Sequence, residues 1–153
     1  ICGTLLELDL KGKHVLDCGC GTGILGICTL KLGATRCVCY DIDEWSTDNT
    51  RHNAVINHVD DRLTSMNGDA TLLDSMTERF QLVMANINRN ILLQDMPRFV
   101  GVMAPGATLI LSGFYTSDCP LLEAKGNELG LTLCDSRHDG DWACLVLKIK
   151  NER

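Results

Sequence analysis

The residues best suited to chemistry gather at turns. The run Asp17-Cys18-Gly19-Cys20-Gly21-Thr22-Gly23 follows the apolar pair Val15 and Leu16 and precedes Ile24 to Leu32, which is apolar enough for a helix packed on a sheet. Alternate glycines clear side chains from a strand-to-helix turn, so backbone N–H groups at the helix N-terminus can face a ligand closely. A dinucleotide-binding turn, G-x-G-x-x-G, would carry its third glycine where Ile24 stands; here it comes one residue early, at Gly23. The Asp17 carboxylate would repel a pyrophosphate and suits a ligand with a cationic end. Both features oppose a nicotinamide-dependent oxidoreductase.

Three further positions extend this site. Asp41 lies 24 residues beyond Asp17, at the end of a second strand, where a carboxylate is placed to bond ribose hydroxyls. Asp43, just before Glu44-Trp45-Ser46, reads as the N-cap of the next helix. Asp69, in Asn67-Gly68-Asp69-Ala70, either accepts a hydrogen bond from an adenine amino group or simply makes the turn. Asn86 ends a fourth, buried strand, at the sheet edge where catalytic groups collect.

Elements to hold these residues follow from the pattern. Strands are expected at Val15–Leu16, Arg36–Tyr40, Leu63–Met66, Phe80–Ala85, Ala107–Leu111, Leu131–Cys134 and Trp142–Ile149. Helices are expected at Ile24–Leu32 (closed by Gly33), Glu44–Asn57, Thr71–Met76, from Ile91 behind an Asn90 cap, and at Pro120–Leu129. The second helix has a thin apolar stripe of Trp45, Ala54, Val55 and Ile56. Pro97 should kink or split the fourth, and Pro105-Gly106 should turn. Ile1 to Leu10 reads as a short helix or remnant, and Lys148 to Arg153 as a tail. Alternating strands and helices with a closing hairpin specify a three-layer, mostly parallel α/β sheet.

The 153 residues suit one domain, with 45% hydrophobic and 22% charged residues. A net charge of −6 gives nucleic acid no electrostatic attraction. The 9 cysteines form no C-x-x-C pair. They read as reduced, buried thiols of a cytoplasmic protein, with no metal site, and His52 and His58 as solvent-side residues. No signal peptide or run of membrane length is visible. Ile1 in place of methionine points to a piece of a longer chain.

The pattern D-x-G-x-G-x-G resembles motif I of class I S-adenosylmethionine-dependent methyltransferases. Within them the chain most resembles the ribosomal protein L-eleven methyltransferase family. The resemblance rests on Val15 to Leu25, Lys31-Leu32-Gly33-Ala34, Asp41-Ile42-Asp43, Ala85-Asn86-Ile87, Ala104-Pro105-Gly106, Leu111-Ser112-Gly113 and Asp141-Trp142-x-x-Leu145. It departs at Glu44, where the family usually has proline.

The resemblance implies a Rossmann-like doubly wound sheet of seven strands, the last antiparallel, forming one catalytic domain over residues 1–153. The implied activity is methyl transfer from S-adenosylmethionine, giving S-adenosylhomocysteine, to lysine and α-amino groups of a large-subunit ribosomal protein. Asp17, Gly19, Cys20, Gly21, Thr22 and Gly23 would line the methionine end. Asp41 and Ile42 would hold ribose, Asp69 and Ala70 would lie near adenine, and Asn86 would be the active-site amide. The family's N-terminal substrate-docking domain and its cofactor-covering loop are absent from the sequence, so the chain is expected to have little activity alone.

The acceptor must be a neutral amine, and a lysine with pKa near 10.4 loses its proton more readily when buried against a sulfonium. The Asn86 oxygen would accept an amine N–H and aim the lone pair. Three rival readings are a methyltransferase acting on nucleic acid, glutamine or a small molecule, an oxidoreductase, and an inactive cofactor-binding module. The first would carry N-P-P-Y where Asn86-Ile87-Asn88-Arg89 stands.

Overall fold

The computed structural model describes residues 9–19 and 21–149. Among them, β1 (His14–Cys18), β2 (Arg36–Asp41), β3 (Leu63–Asn67), β4 (Phe80–Asn86), β5 (Met103–Tyr115), β6 (Leu131–Asp139) and β7 (Trp142–Ile149) form one seven-stranded sheet. The order is β3-β2-β1-β4-β5-β7-β6, with β1 to β5 parallel and β7 antiparallel to both its neighbours. This is the mostly parallel sheet expected from the alternation of elements, in the doubly wound form that the resemblance implies.

Strand alternation sets the two layers. Leu16, Val38, Val83 and Leu109 face helices α3 (Arg89–Gly101) and α4 (Cys119–Glu128), joining Leu92, Met96, Phe99 and Leu122 in the larger core. Val15, Cys37, Cys39 and Met84 face α1 (Ile24–Lys31) and α2 (Glu44–Ile56), packing with Ile27, Leu30 and Ala54. Gly33, at φ 112, follows α1 as its closing residue, and Ala34 N returns to Thr29 O at 3.0 Å. Several of the cysteines do lie in these cores: Cys18, Cys37, Cys39 and Cys119 are buried. Among the described residues no helix is long and apolar enough to cross a membrane.

Four local expectations change. The Asn88 side chain, not that of Asn90, caps α3, accepting Ile91 N at 3.1 Å. Pro97 does not split α3 into two short helices. It lies on the exposed face, while Leu92, Met96 and Phe99 anchor both halves to the sheet. Pro105-Gly106 lies inside β5, beside a register shift against β4. Of the stripe expected on α2 only Ala54 faces inward: Trp45, Val55 and Ile56 are exposed, and Ser46, Thr47 and Thr50 join Ala54 on the buried face. Thr50 on that face donates to Gly21 O of the glycine turn, while Ser46 and Thr47 bond the Asp43 cap and the Glu44 carbonyl.

Smaller shifts occur at element ends. Thr71–Met76 forms a 3-10 turn, Ala70–Ser75, and β6 runs on to Asp139. Residues 1–8 of the expected N-terminal helix and 150–153 of the tail lie outside the described residues.

Candidate functional site

The strand order reverses between β1 and β4, and the carboxyl ends of β1, β2, β4 and β5 meet there. Such a reversal opens a crevice at that edge of the sheet. At the end of β1, Gly19 N donates to Tyr40 O at 2.9 Å. A Cβ on Gly19 would stand 2.9 Å from Ile87 Cγ2, so the missing side chain lets the exit of β4 close on the turn. Gly23 caps α1 at φ 81 without a side-chain bond, and its Cβ would stand 2.5 Å from Thr50 Cγ2.

Asp41 is built into the turn. Its Oδ2 accepts Gly21 N and its Oδ1 accepts Asp43 N, both at 2.9 Å. Asp43 is the N-cap of α2, accepting Trp45 N and Ser46 Oγ at 3.1 Å each. Asn67 Nδ2 donates to the carbonyls of Asp41 and Ile42, tying the exit of β3 to that of β2. Asp69 caps the 3-10 turn through Thr71 N at 3.0 Å and the Thr71 hydroxyl. Those two bonds hold the exposed Asp69 carboxyl below its usual range. Both use Oδ1.

Asp17 does not line the crevice. It is 1% exposed, pressed against α1 near Gly26, where Cys37 and Cys39 also lie. Its Oδ2 has no hydrogen-bond partner among the described residues. Burial pushes its pKa up to about 7, the Gly26 N–H pulls it back, and the Asp41 charge adds to the rise. Cys20 lies outside the described residues.

Asn86 stands exposed at the end of β4, and its Oδ1 accepts Ser112 Oγ from β5 at 3.1 Å. Gly113, at φ 91, makes room: a Cβ there would lie 2.8 Å from Asn86 Oδ1 and 2.9 Å from Ile87 N. The same glycine sits where β5 shifts register against β7.

A cleft of about 390 Å³ joins Asp41 and Ile42, Gly68 to Thr71, and Ile87. Gly19, Asp41, Ile42, Asp69 and Ala70 are positions the sequence nominated; at the exit of β4 the lining residue is Ile87 rather than the nominated Asn86. The cleft also takes Tyr40, Gln94, Asp95 and Arg98, which the spacing did not identify. Burial raises the pKa of Asp95. On the other side of Asn86, a second hollow lies among Asn88 to Asn90, Gly113 to Tyr115, Asp118 and Trp142. There Tyr115 and Trp142 stack with ring centroids 4.7 Å apart, both about half exposed. No sequence signal marked this wall, because Tyr115 lies beyond the expected end of the fifth strand and meets Trp142 only through the β5–β7 pairing.

Comparison with known proteins follows the same line. The model of the family "Ribosomal protein L11 methyltransferase (PrmA)" matches residues 2–150. A relative of that name from Porphyromonas gingivalis is 49% identical over 141 residues, 92% of this chain and 48% of its own length. One from Phocaeicola vulgatus is 42% identical over 150 residues, 98% of this chain and 53% of its own. The chain thus spans about half the length of the curated relatives it matches. The crystal structure of a ribosomal protein L11 methylase from Lactobacillus delbrueckii superposes with TM-score 0.88 at 27% identity, covering 95% of this chain and 74% of that one.

Proposed function

The chain belongs to the ribosomal protein L11 methyltransferase family, and on that premise we propose that it is the catalytic domain of a protein N-methyltransferase. The methyl donor is S-adenosylmethionine. The acceptors are lysine and α-amino groups of a large-subunit ribosomal protein, in the cytoplasm. The observation that carries this reading is the convergence of Asp41, Gly68 to Ala70 and Ile87 on one cleft beside the glycine turn.

The residues fit the cofactor. Each Asp41 oxygen already takes one N–H and has a lone pair left for a ribose hydroxyl. Asp69 Oδ2 suits an adenine amino group, and Ile42 and Ile91 give the purine apolar walls. Thr22 and Gly23 bring backbone N–H groups to the amino-acid end, and Gly21 and Gly23 keep side chains out of the way. Asp17 acts through the turn it underlies, as a buried negative charge that a cationic ligand above it stabilises.

S-adenosylmethionine supplies a methyl group already activated on a sulfonium. The protein's part is to bring a neutral amine in line with it. With Ser112 Oγ on one side of Asn86 Oδ1, the other lone pair accepts an amine N–H and aims the nitrogen. The Tyr115–Trp142 pair walls the approach used by the substrate segment. The test is methyl incorporation from labelled S-adenosylmethionine by the full-length enzyme. Label in a large-subunit ribosomal protein supports the reading. Label confined to RNA, or none, overturns it.

A further inference from the structure

Helix α2 reaches across to the glycine turn with two side chains. Thr50 Oγ1 donates to Gly21 O at 3.0 Å, and Asn53 Nδ2 donates to Thr22 O at 2.9 Å. Thr50 is buried, shares its hydroxyl with Ser46 O at 2.9 Å, and fills the space beside Gly23.

Peptide planarity turns these bonds into an orientation. In a trans peptide the carbonyl and the following N–H point in opposite directions. The Gly21 carbonyl shares a plane with Thr22 N–H, and the Thr22 carbonyl with Gly23 N–H. Fixing both carbonyls on α2 therefore aims both N–H groups away from α2. Neither N–H has a partner among the described residues. Gly21 N–H is the exception that defines the set, since Asp41 consumes it.

We infer that Thr50 and Asn53 are positioning residues that aim the Thr22 and Gly23 N–H groups at the carboxylate of the cofactor's amino-acid end. The inference rests on the S-adenosylmethionine reading above. It divides the turn into two fixed glycines, Gly19 and Gly21, held by β2, and an aimed half, Thr22 and Gly23, held by α2. Neither side chain touches the ligand. Their contribution is confined to whichever ligands carry that carboxylate.

Two ligands separate aiming from folding. S-adenosylhomocysteine has the amino-acid end; methylthioadenosine keeps the adenosyl part and lacks it. Calorimetric affinities for both would be measured on the chain and on Thr50→Val, Thr50→Ser and Asn53→Ala. Valine keeps the shape beside Gly23 and removes the donor. The expected result is a loss of about five- to thirty-fold in S-adenosylhomocysteine affinity for Thr50→Val and Asn53→Ala, since one or two charge-assisted hydrogen bonds are misaligned. Methylthioadenosine affinity should stay within two-fold, and Thr50→Ser should restore the wild-type value. Half-buried Asn53 carries the test if Thr50→Val does not fold. Equal losses for both ligands, or no loss for either, overturn the inference while leaving the cofactor assignment standing. Failure of the unsubstituted chain to bind either ligand overturns the assignment and the inference together.

Discussion

The Asp41 carboxylate holds the Gly21 N–H at 2.9 Å, so the acid ending one strand fixes the glycine turn that ends its neighbour. The same carboxylate holds Asp43 N, the first step into α2. One side chain thus sets the turn, the approach to the helix and a face for ribose. Asp41→Ala should lower S-adenosylhomocysteine affinity by about thirty-fold or more and stability by about 1–3 kcal/mol, the cost of two backbone donors left without a partner. Calorimetric titration and urea unfolding check the two effects separately. Wild-type affinity would remove Asp41 from the ribose site.

Asp17 gives the chain a pH dependence. Its pKa is raised in the folded state, to about 7 from 3.8, so folding is penalised by the ionised form. The penalty is absent below the unfolded value, grows between about pH 4 and 7, and is constant above. The wild type should therefore lose about 2–3 kcal/mol relative to Asp17→Asn between pH 5 and pH 8. Urea midpoints at the two pH values test this, and parallel pH curves for the two proteins would contradict it. The substitution should also weaken S-adenosylmethionine binding, because it removes the buried charge beneath the turn.

Two glycines of the turn should differ in cost. Gly21→Ala, at φ 56 with open space around its Cβ, loses about 1–2 kcal/mol from backbone strain alone. Gly23→Ala, at φ 81, adds a collision with Thr50 at 2.5 Å, for a total of about 2–4 kcal/mol. Thermal unfolding of the pair checks the ranking; equal losses would refute the packing between Gly23 and α2.

Asn86→Ala in the full-length enzyme should cut turnover by about 10²-fold or more while leaving cofactor affinity within a few fold, the pattern for a group that positions the reacting amine. Ser112→Ala, which removes the neighbour that holds Asn86 Oδ1, should cost less. Single-turnover methyl transfer measures both. Unchanged turnover in Asn86→Ala would leave the amide as a strand-end tie to Ser112.

What was legible in the sequence was local. The turn at Asp17 to Gly23, the Asp43 cap and the strand ends at Asp41 and Asn86 each carry their own short pattern. The burial of Asp17 under α1 was not legible, because it depends on which face of β1 the helix covers. Nor was the outward face of Trp45, Val55 and Ile56, because α2 turns Ser46, Thr47, Thr50 and Ala54 to the sheet instead. The split into two helices that Pro97 suggested does not occur, because a helix held by Leu92, Met96 and Phe99 tolerates a proline on its exposed side. Thr50 and Asn53 gave no signal at all. Their partners are about 30 residues away in sequence, and only the packing of α2 brings them together.

The most direct test is calorimetric titration of the chain with S-adenosylmethionine, and with NADH in parallel. The account predicts saturable binding of S-adenosylmethionine at one site per chain and none of NADH. Binding of NADH alone, or of neither, would contradict it.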